Sequence, residues 1–202
     1  MLTKLKQRIQ ALLISEATYA HRIGLTPNAV SGLGIVLALL SAISYWRAYT
    51  NTLLLLAVGA LFLALSGFCD ALDGILARLY EQTTVFGGFL DSLLDRYADA
   101  AVLTGIVLGG LADFSWGFIA VVGTLLVSYA RARAEAAGVK MESIGIAERA
   151  ERILVLFVAS LVALVWLGAL WWSVVLLAFL TNITVLQRVI YFYRAVKKKT
   201  AV

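Results

Sequence analysis

The chain has 202 residues, of which 62% are hydrophobic and 14% charged, and its formal net charge is +5. This composition excludes an ordinary soluble domain and, at this length, leaves no room for a soluble catalytic domain beside a membrane domain. One cysteine, Cys69, excludes an internal disulfide and a cysteine-cluster metal site, and one histidine, His21, excludes a multi-histidine site. Any chemistry must therefore be performed by helix ends and short loops.

Residues 1–22 are predicted to form an interfacial amphipathic helix next to the membrane. Apolar residues repeat there at three- and four-residue spacing, with basic residues between them. A basic juxtamembrane tail without a special role is an equally good interpretation. The segment lacks the pattern of a cleaved signal peptide, so we expect none. The residues of this pattern are Leu2, Lys4, Leu5, Lys6, Arg8, Ile9 and Leu12.

Residues 23–202 are predicted to form one all-α integral membrane domain of six transmembrane helices. A hydrocarbon core about 30 Å thick needs roughly 20 apolar residues per spanning helix. The predicted spans are 28–47, 52–74, 88–111, 115–136, 152–169 and 171–192. Gly105-x3-Gly109 in the third span is typical of close helix packing, either within the chain or across a dimer.

The basic residues predict the orientation of these spans. With six spans, all of the 17 Lys and Arg residues except Arg47 fall on the side that holds both termini. The positive-inside rule therefore places both termini in the cytosol. Because the basic residues lie at membrane boundaries, we expect no nucleic-acid partner. The compact length and the absence of targeting segments favour the plasma membrane of a prokaryote.

The first span begins with LTPNAVSGLG, residues 25–34. Thr26 and Pro27 suit the cap and first turn of a helix, and Asn28 and Ser31 lie on one face of it. A well-capped helix is sufficient to explain this pattern.

Two pairs of carboxylates lie at the predicted cytosolic ends of the second and third spans. Asp70 and Asp73 are about 60° apart around a helix, and Asp91 and Asp95 about 40°. Charges inside a membrane helix are costly and mark functional sites. Four carboxylates without histidine or thiolate favour Mg²⁺, Mn²⁺ or Ca²⁺, and two such ions could clamp a transferring phosphoryl group. Asp99, one turn beyond Asp95, is expected to satisfy a polar group on a neighbouring helix, and the alternative is that it is a fifth acid of the site.

Small residues beside these acids would let a large ligand approach the backbone. Gly74 and Ala77 follow Asp70 and Asp73 on nearly the same face, and Gly87 opens the third span. Arg78 could pair with a ligand phosphate or with one of the acids.

Several arginines lie near the ends of the last three predicted spans. A guanidinium can bond two phosphate oxygens at once, so they favour a pocket for an acceptor that already carries a phosphate. Alternatively, these arginines serve membrane topology and salt bridges, which is supported by Glu135 four residues after Arg131. For Arg152 the two interpretations are equally good. The predicted residues of the pocket are Ser128, Arg131, Arg133, Arg149 and Arg188.

The aspartate pattern resembles the signature of the CDP-alcohol phosphotransferase family at every fixed position. It reads Asp70-x2-Asp73-Gly74-x2-Ala77-Arg78-x8-Gly87-x3-Asp91-x3-Asp95. The resemblance implies the six-helix fold, a homodimer, and attack of a hydroxyl on the β-phosphorus of a CDP-linked lipid, with CMP leaving. It implies Mg²⁺ or Mn²⁺, two ions per site, bound by the four aspartates, with Asp95 also the general base. The implied CDP-lipid site comprises Asn28, Ser31, Asp70, Asp73, Gly74, Ala77, Arg78 and Gly87.

Three further motifs resemble one branch of that family, the phosphatidylinositol phosphate synthases and their archaeal counterparts. They are Ser128-Tyr129-Ala130-Arg131-Ala132-Arg133-Ala134-Glu135, Glu148-Arg149-Ala150-Glu151-Arg152 and Gln187-Arg188. The implied acceptor is inositol 1-phosphate, and the implied donor is CDP-diacylglycerol or CDP-archaeol. Glycerol 3-phosphate is the rival acceptor, and a divalent-cation transporter is a rival of another class.

Overall fold

The structure, a computed structural model, describes residues 13–49, 52–141 and 144–200. Within these ranges every regular element is a helix, which confirms the predicted all-α class. The predicted amphipathic stripe of residues 1–12 lies outside the described residues, and the helix is described from residue 13 onward. The helices are α1 (residues 13–22), α2 (Pro27–Trp46), α3 (Thr52–Leu79), α4 (Val85–Leu108), α5 (Phe114–Ala136), α6 (Arg149–Ala163) and α7 (Gly168–Thr200).

Four of the described helices are long and apolar enough to cross a membrane: α2, α3, α5 and α7. Helix α4 has 24 residues, but four of them carry charged side chains. Helix α6 has 15 residues, which corresponds to about 22 Å. The membrane-like character of the chain is therefore confirmed, while six spans stay a prediction.

Helix ends differ from the predicted ends by several residues because capping, not hydropathy, sets them. Helix α2 begins as predicted, with the Thr26 hydroxyl accepting from the Ala29 amide at 3.2 Å and with Pro27 in the first turn. Helix α4 begins three residues early because the Thr84 hydroxyl accepts from the Gly87 amide at 2.9 Å. It also ends early, at a Gly109 cap followed by Gly110 with φ +71°.

The Gly105-x3-Gly109 pattern brings α4 against α2 within the chain. A Cβ added at Gly105 would collide with the backbone of Ala42, and one added at Gly109 with the carbonyl of Tyr45. Both glycines are therefore required by close packing inside one molecule.

Helix contacts bring the ends that carry the predicted site residues together. Helix α2 packs on α3 and α4, α5 packs on α7, and α6 contacts both α3 and α7. The C-terminal ends of α3 and α5 meet the N-terminal ends of α4 and α6 at one end of the bundle. The second half of α7 completes this end, where all the polar side chains discussed below are found.

Candidate active site

Three of the four motif aspartates converge where α3 meets α4. Asp70, Asp91 and Asp95 each offer a carboxylate oxygen, and these oxygens lie within 4.8 Å of one another. An oxygen-only donor set of this size and charge suits a hard divalent cation such as Mg²⁺ or Mn²⁺. These three aspartates, which were predicted as metal ligands, therefore form a group suited to a divalent cation. The spacing of four residues on α4 places Asp91 and Asp95 on one face of that helix.

The fourth motif aspartate, Asp73, faces α2. It is buried, at 5% exposure, and its Oδ2 accepts a hydrogen bond of 2.6 Å from the Ser31 hydroxyl. Asp73 also lines the narrow space between Asp70, Asp91 and Asp95. Ser31, which the family resemblance assigned to the CDP-lipid site, thus positions a carboxylate at the edge of the cluster.

A cavity of about 190 Å³ opens beside Asp73 and Asp91. At its rim, a Cβ added at Gly87 would lie 3.0 Å from Asn28 Oδ1 and 2.9 Å from Thr84 Oγ1, so Gly87 leaves room for Asn28. Most of the cavity-lining residues come from the aspartate motif, as predicted for one ligand site. They are Asp73, Gly74, Ala77, Arg78, Thr83, Thr84, Gly87, Gly88 and Asp91.

A second cavity, of about 250 Å³, opens on the other side of the cluster, between α4, α5, α6 and α7. Five arginines and three acids line it, so its charge favours an anion. Asp95 belongs both to this wall and to the acidic cluster, so a ligand here would lie next to the metal ligands. The lining residues are Asp95, Arg96, Asp99, Val127, Ser128, Arg131, Glu148, Arg149, Ala150, Arg152 and Arg188.

Four of the five residues predicted for an anion pocket line this cavity: Ser128, Arg131, Arg149 and Arg188. The fifth, Arg133, is exposed on α5 and does not line it, so its predicted role rests on the sequence alone. Arg131 also pairs with Glu135 through Nε at 2.9 Å, as the alternative interpretation expected. Because that pair is about 40% exposed, it leaves Arg131 free to exchange partners.

Arg188 joins the walls of this cavity to one another. Its Nε donates to the Ile144 carbonyl at 2.8 Å, and its Nη1 donates to the Val127 carbonyl. Its Nη2 lies 3.8 Å from Glu148 Oε1, and the side chain is 3% exposed. Two of its nitrogens thus bond the backbone, and the third lies within ion-pair distance of Glu148, another residue of the cavity wall.

Arg149 lies between the cavity and the acidic cluster. Its Nη1 forms ion pairs with Asp70 and, at 2.7 Å, with Asp95 Oδ1. Its Nε lies 3.6 Å from Asp99 Oδ1. The sequence predicted Arg149 as an anion ligand, but the structure adds that it neutralises two of the predicted metal ligands.

Asp99 and Arg152 form a largely buried ion pair in the wall of this cavity. Arg152 Nη2 lies 2.6 Å from Asp99 Oδ2, and Arg152 Nη1 donates to the Ala147 carbonyl at 2.9 Å. This pair matches the expectation that Asp99 satisfies a polar group on a neighbouring helix.

Besides Asp99 and Arg152, two charged residues in the cavity wall were not predicted as site residues. Arg96 lies 3.8 Å from Asp95 Oδ2, and Glu148 faces Arg188. Arg96 directly follows a motif aspartate, and Glu148 begins the Glu-Arg-x-Glu-Arg motif, so both had a signal in the sequence.

An acidic cation site between two ligand cavities, at one end of a bundle of apolar helices, defines a membrane-embedded, metal-dependent transferase of phosphoryl-linked groups. The family model for CDP-alcohol phosphatidyltransferases matches residues 24–179. The chain belongs to this family, and it is an enzyme of the CDP-alcohol phosphotransferase type. This confirms the resemblance seen in the aspartate motif and sets aside the transporter alternative.

The chain is also similar to individual proteins over nearly its whole length. It is 40% identical to the archaetidylinositol phosphate synthase of Pyrococcus horikoshii over 198 residues, which cover 98% of each chain. It superimposes on a crystal structure of Mycobacterium tuberculosis phosphatidylinositol phosphate synthase with CDP-DAG bound, with TM-score 0.77 and 29% identity, covering 91% of this chain and 94% of that one. A second crystal structure of that enzyme, with manganese and citrate, gives TM-score 0.77 and 30% identity, covering 90% and 88%.

Proposed function

We propose that the enzyme transfers the lipid-phosphate group of a CDP-linked lipid to inositol 1-phosphate and releases CMP. The observation that carries this proposal is the arginine-lined cavity whose wall includes Asp95. An acceptor that already bears a phosphate requires such a cavity, whereas a neutral polyol does not. The names of the relatives, which are inositol phosphate lipid synthases, support the same acceptor over glycerol 3-phosphate.

The CDP-linked lipid would bind in the cavity beside Asp73 and Asp91. Gly74, Ala77 and Gly87 leave the backbone accessible there, Arg78 could bond a diphosphate oxygen, and Asn28 stands at the rim. The related crystal structure with CDP-DAG bound supports a CDP-lipid donor. Either CDP-diacylglycerol or CDP-archaeol would place its tails against apolar helix faces.

The reaction would join the two cavities across the acidic cluster. The acceptor hydroxyl forms a bond to the β-phosphorus while the bond from that phosphorus to the oxygen of CMP breaks. Asp95, which lines the acceptor cavity, would take the hydroxyl proton on a carboxylate oxygen. Two Mg²⁺ or Mn²⁺ ions, held by Asp70, Asp73, Asp91 and Asp95, would supply charge stabilisation for the transferring group.

We place this site at the cytosolic face of a prokaryotic plasma membrane, in a homodimer. Six spans, α2 to α7, would follow an interfacial segment of residues 1–22 and form a domain of residues 23–202. Helices α4 and α6 carry charges at the site end because that end faces a water-filled cavity rather than lipid. Both termini would then lie on the site's side, together with nearly all the basic residues.

The proposal is tested by measuring CMP release from CDP-diacylglycerol and from CDP-archaeol with inositol 1-phosphate, glycerol 3-phosphate and serine in parallel. We expect CMP release with inositol 1-phosphate and with neither of the other two acceptors. EDTA should abolish this release, and added Mg²⁺ should restore it. Arg131→Met should raise KM for the acceptor, while the matched variant Arg133→Met, outside the cavity, should not. Release with glycerol 3-phosphate instead would overturn the acceptor assignment, and no release with any acceptor would overturn the proposal.

A further inference from the structure

Arg149 is placed where it can serve either of two sites. Its Nη1 contacts Asp70 and Asp95, two of the three carboxylates whose oxygens could hold a cation. The same side chain lines the arginine-rich cavity with Arg131 and Arg188. A cation bound by Asp70 and Asp95 would repel a guanidinium at hydrogen-bond distance from the same two carboxylates. The cation and the guanidinium therefore oppose each other at this position.

Asp99 offers the displaced guanidinium a second partner. Its Oδ2 is held at 2.6 Å by Arg152, and its Oδ1 faces Arg149 Nε at 3.6 Å. Asp99 itself lines the acceptor cavity. A small rotation of the Arg149 side chain away from Asp70 and Asp95 and toward Asp99 therefore keeps it paired while turning it toward a phosphate bound in the cavity.

We infer that Asp99 is a positioning residue. When a divalent cation displaces Arg149 from Asp70 and Asp95, Asp99 pairs with the displaced guanidinium and thereby directs it to the acceptor phosphate. The inference rests on the proposed function. The cation and the phosphorylated acceptor then favour each other's binding. A bound cation directs Arg149 toward the acceptor phosphate, and a bound phosphate draws Arg149 away from the carboxylates that bind the cation. Such coupling is reciprocal, so each ligand tightens the other by the same factor.

The test measures binding in the absence of CDP-lipid, so that no turnover occurs. Mn²⁺ is titrated into the detergent-solubilised full-length protein, and free Mn²⁺ is followed by electron paramagnetic resonance with and without saturating inositol 1-phosphate. For the wild type we expect the phosphorylated ligand to lower the Kd for Mn²⁺ about tenfold, within the range usual for coupled sites.

The variants separate the proposed exchange from simple attraction between a cation and a phosphate. Arg149→Met should bind Mn²⁺ about tenfold tighter than the wild type without any phosphate, and added phosphate should change that affinity by less than about twofold. Asp99→Asn should retain Mn²⁺ binding and lose most of the gain from phosphate; if it does not give a monodisperse protein, Asp99→Leu/Arg152→Met replaces it and should do the same. Arg133→Met removes the same charge from an exposed position and should match the wild type.

Each outcome decides between the inference and its failure. If Arg149→Met binds Mn²⁺ no tighter than the wild type, or keeps the full gain from phosphate, the inference is wrong. If Arg149→Met does not give a monodisperse protein, Arg149→Gln, which also removes the positive charge but keeps a polar side chain, replaces it and should bind Mn²⁺ more tightly than the wild type. A wild type that binds no Mn²⁺ contradicts the proposed function itself.

Discussion

Separating Asp99 from Arg152 is expected to destabilise the protein strongly. The two side chains are 11% and 6% exposed, their closest nitrogen and oxygen are 2.6 Å apart, and Arg152 also bonds the Ala147 carbonyl. Their low exposure leaves water little access to either partner, so removing one leaves a largely buried charge at a cost of about 3–5 kcal/mol. For a chain of this length, that cost lowers the unfolding temperature by roughly 6–20 °C.

The assay is heating of the detergent-solubilised protein followed by size-exclusion chromatography, for Asp99→Asn and Arg152→Met separately. The double variant Asp99→Leu/Arg152→Met should recover most of the loss, because an apolar pair of similar volume replaces a buried ion pair with little penalty. Glu135→Gln, which breaks the exposed pair with Arg131, is the matched control and should cost at most about 1 kcal/mol. If Asp99→Asn shifts the unfolding temperature no more than Glu135→Gln does, the reasoning from burial is refuted.

Three further predictions concern the reaction. Asp95→Asn should lower kcat by about 10²–10⁴ with CDP-lipid binding retained in an equilibrium assay, and near-normal turnover would remove the base role of Asp95. Gly87→Ala should raise KM for the CDP-lipid more than KM for the acceptor, because the added methyl group lies 3.0 Å from Asn28 Oδ1; an unchanged KM would place the donor elsewhere. Arg188→Ala should raise KM for the phosphorylated acceptor by about 10- to 100-fold, the worth of one charged hydrogen bond; if KM for the lipid rises equally, Arg188 is purely structural.

Much of the site could be predicted because helical spacing fixes which residues share a face. The three- and four-residue gaps within the aspartate motif placed both pairs on one face each, and the structure brings three of these carboxylates together. Spacing could not show that Asp73 faces Ser31, because that depends on how α2 packs against α3. The glycines at 105 and 109 illustrate the same limit, since only packing shows that they serve an intrachain contact.

The arginines were harder to assign because a long side chain can reach partners several ångströms from its Cα. Sequence position could not show that Arg149 pairs with Asp70 and Asp95, or that Arg188 bonds two backbone carbonyls. Arg133, two residues after Arg131, does not line the cavity, which helix register could have indicated because positions two apart on a helix face different directions. Side-chain reach, rather than helix register, decided the contacts of Arg149 and Arg188.

The central claim, that the arginine-lined cavity holds a phosphate on the acceptor, is tested most directly by comparing inositol 1-phosphate with inositol. The measurement is kcat/KM for CMP release with each acceptor, at the same CDP-lipid and Mg²⁺ concentrations. Two or more charged hydrogen bonds from arginines to the phosphate predict a preference of about 10²–10⁴ for inositol 1-phosphate. Values within about threefold of each other would show that the phosphate is not bound there and would contradict the account.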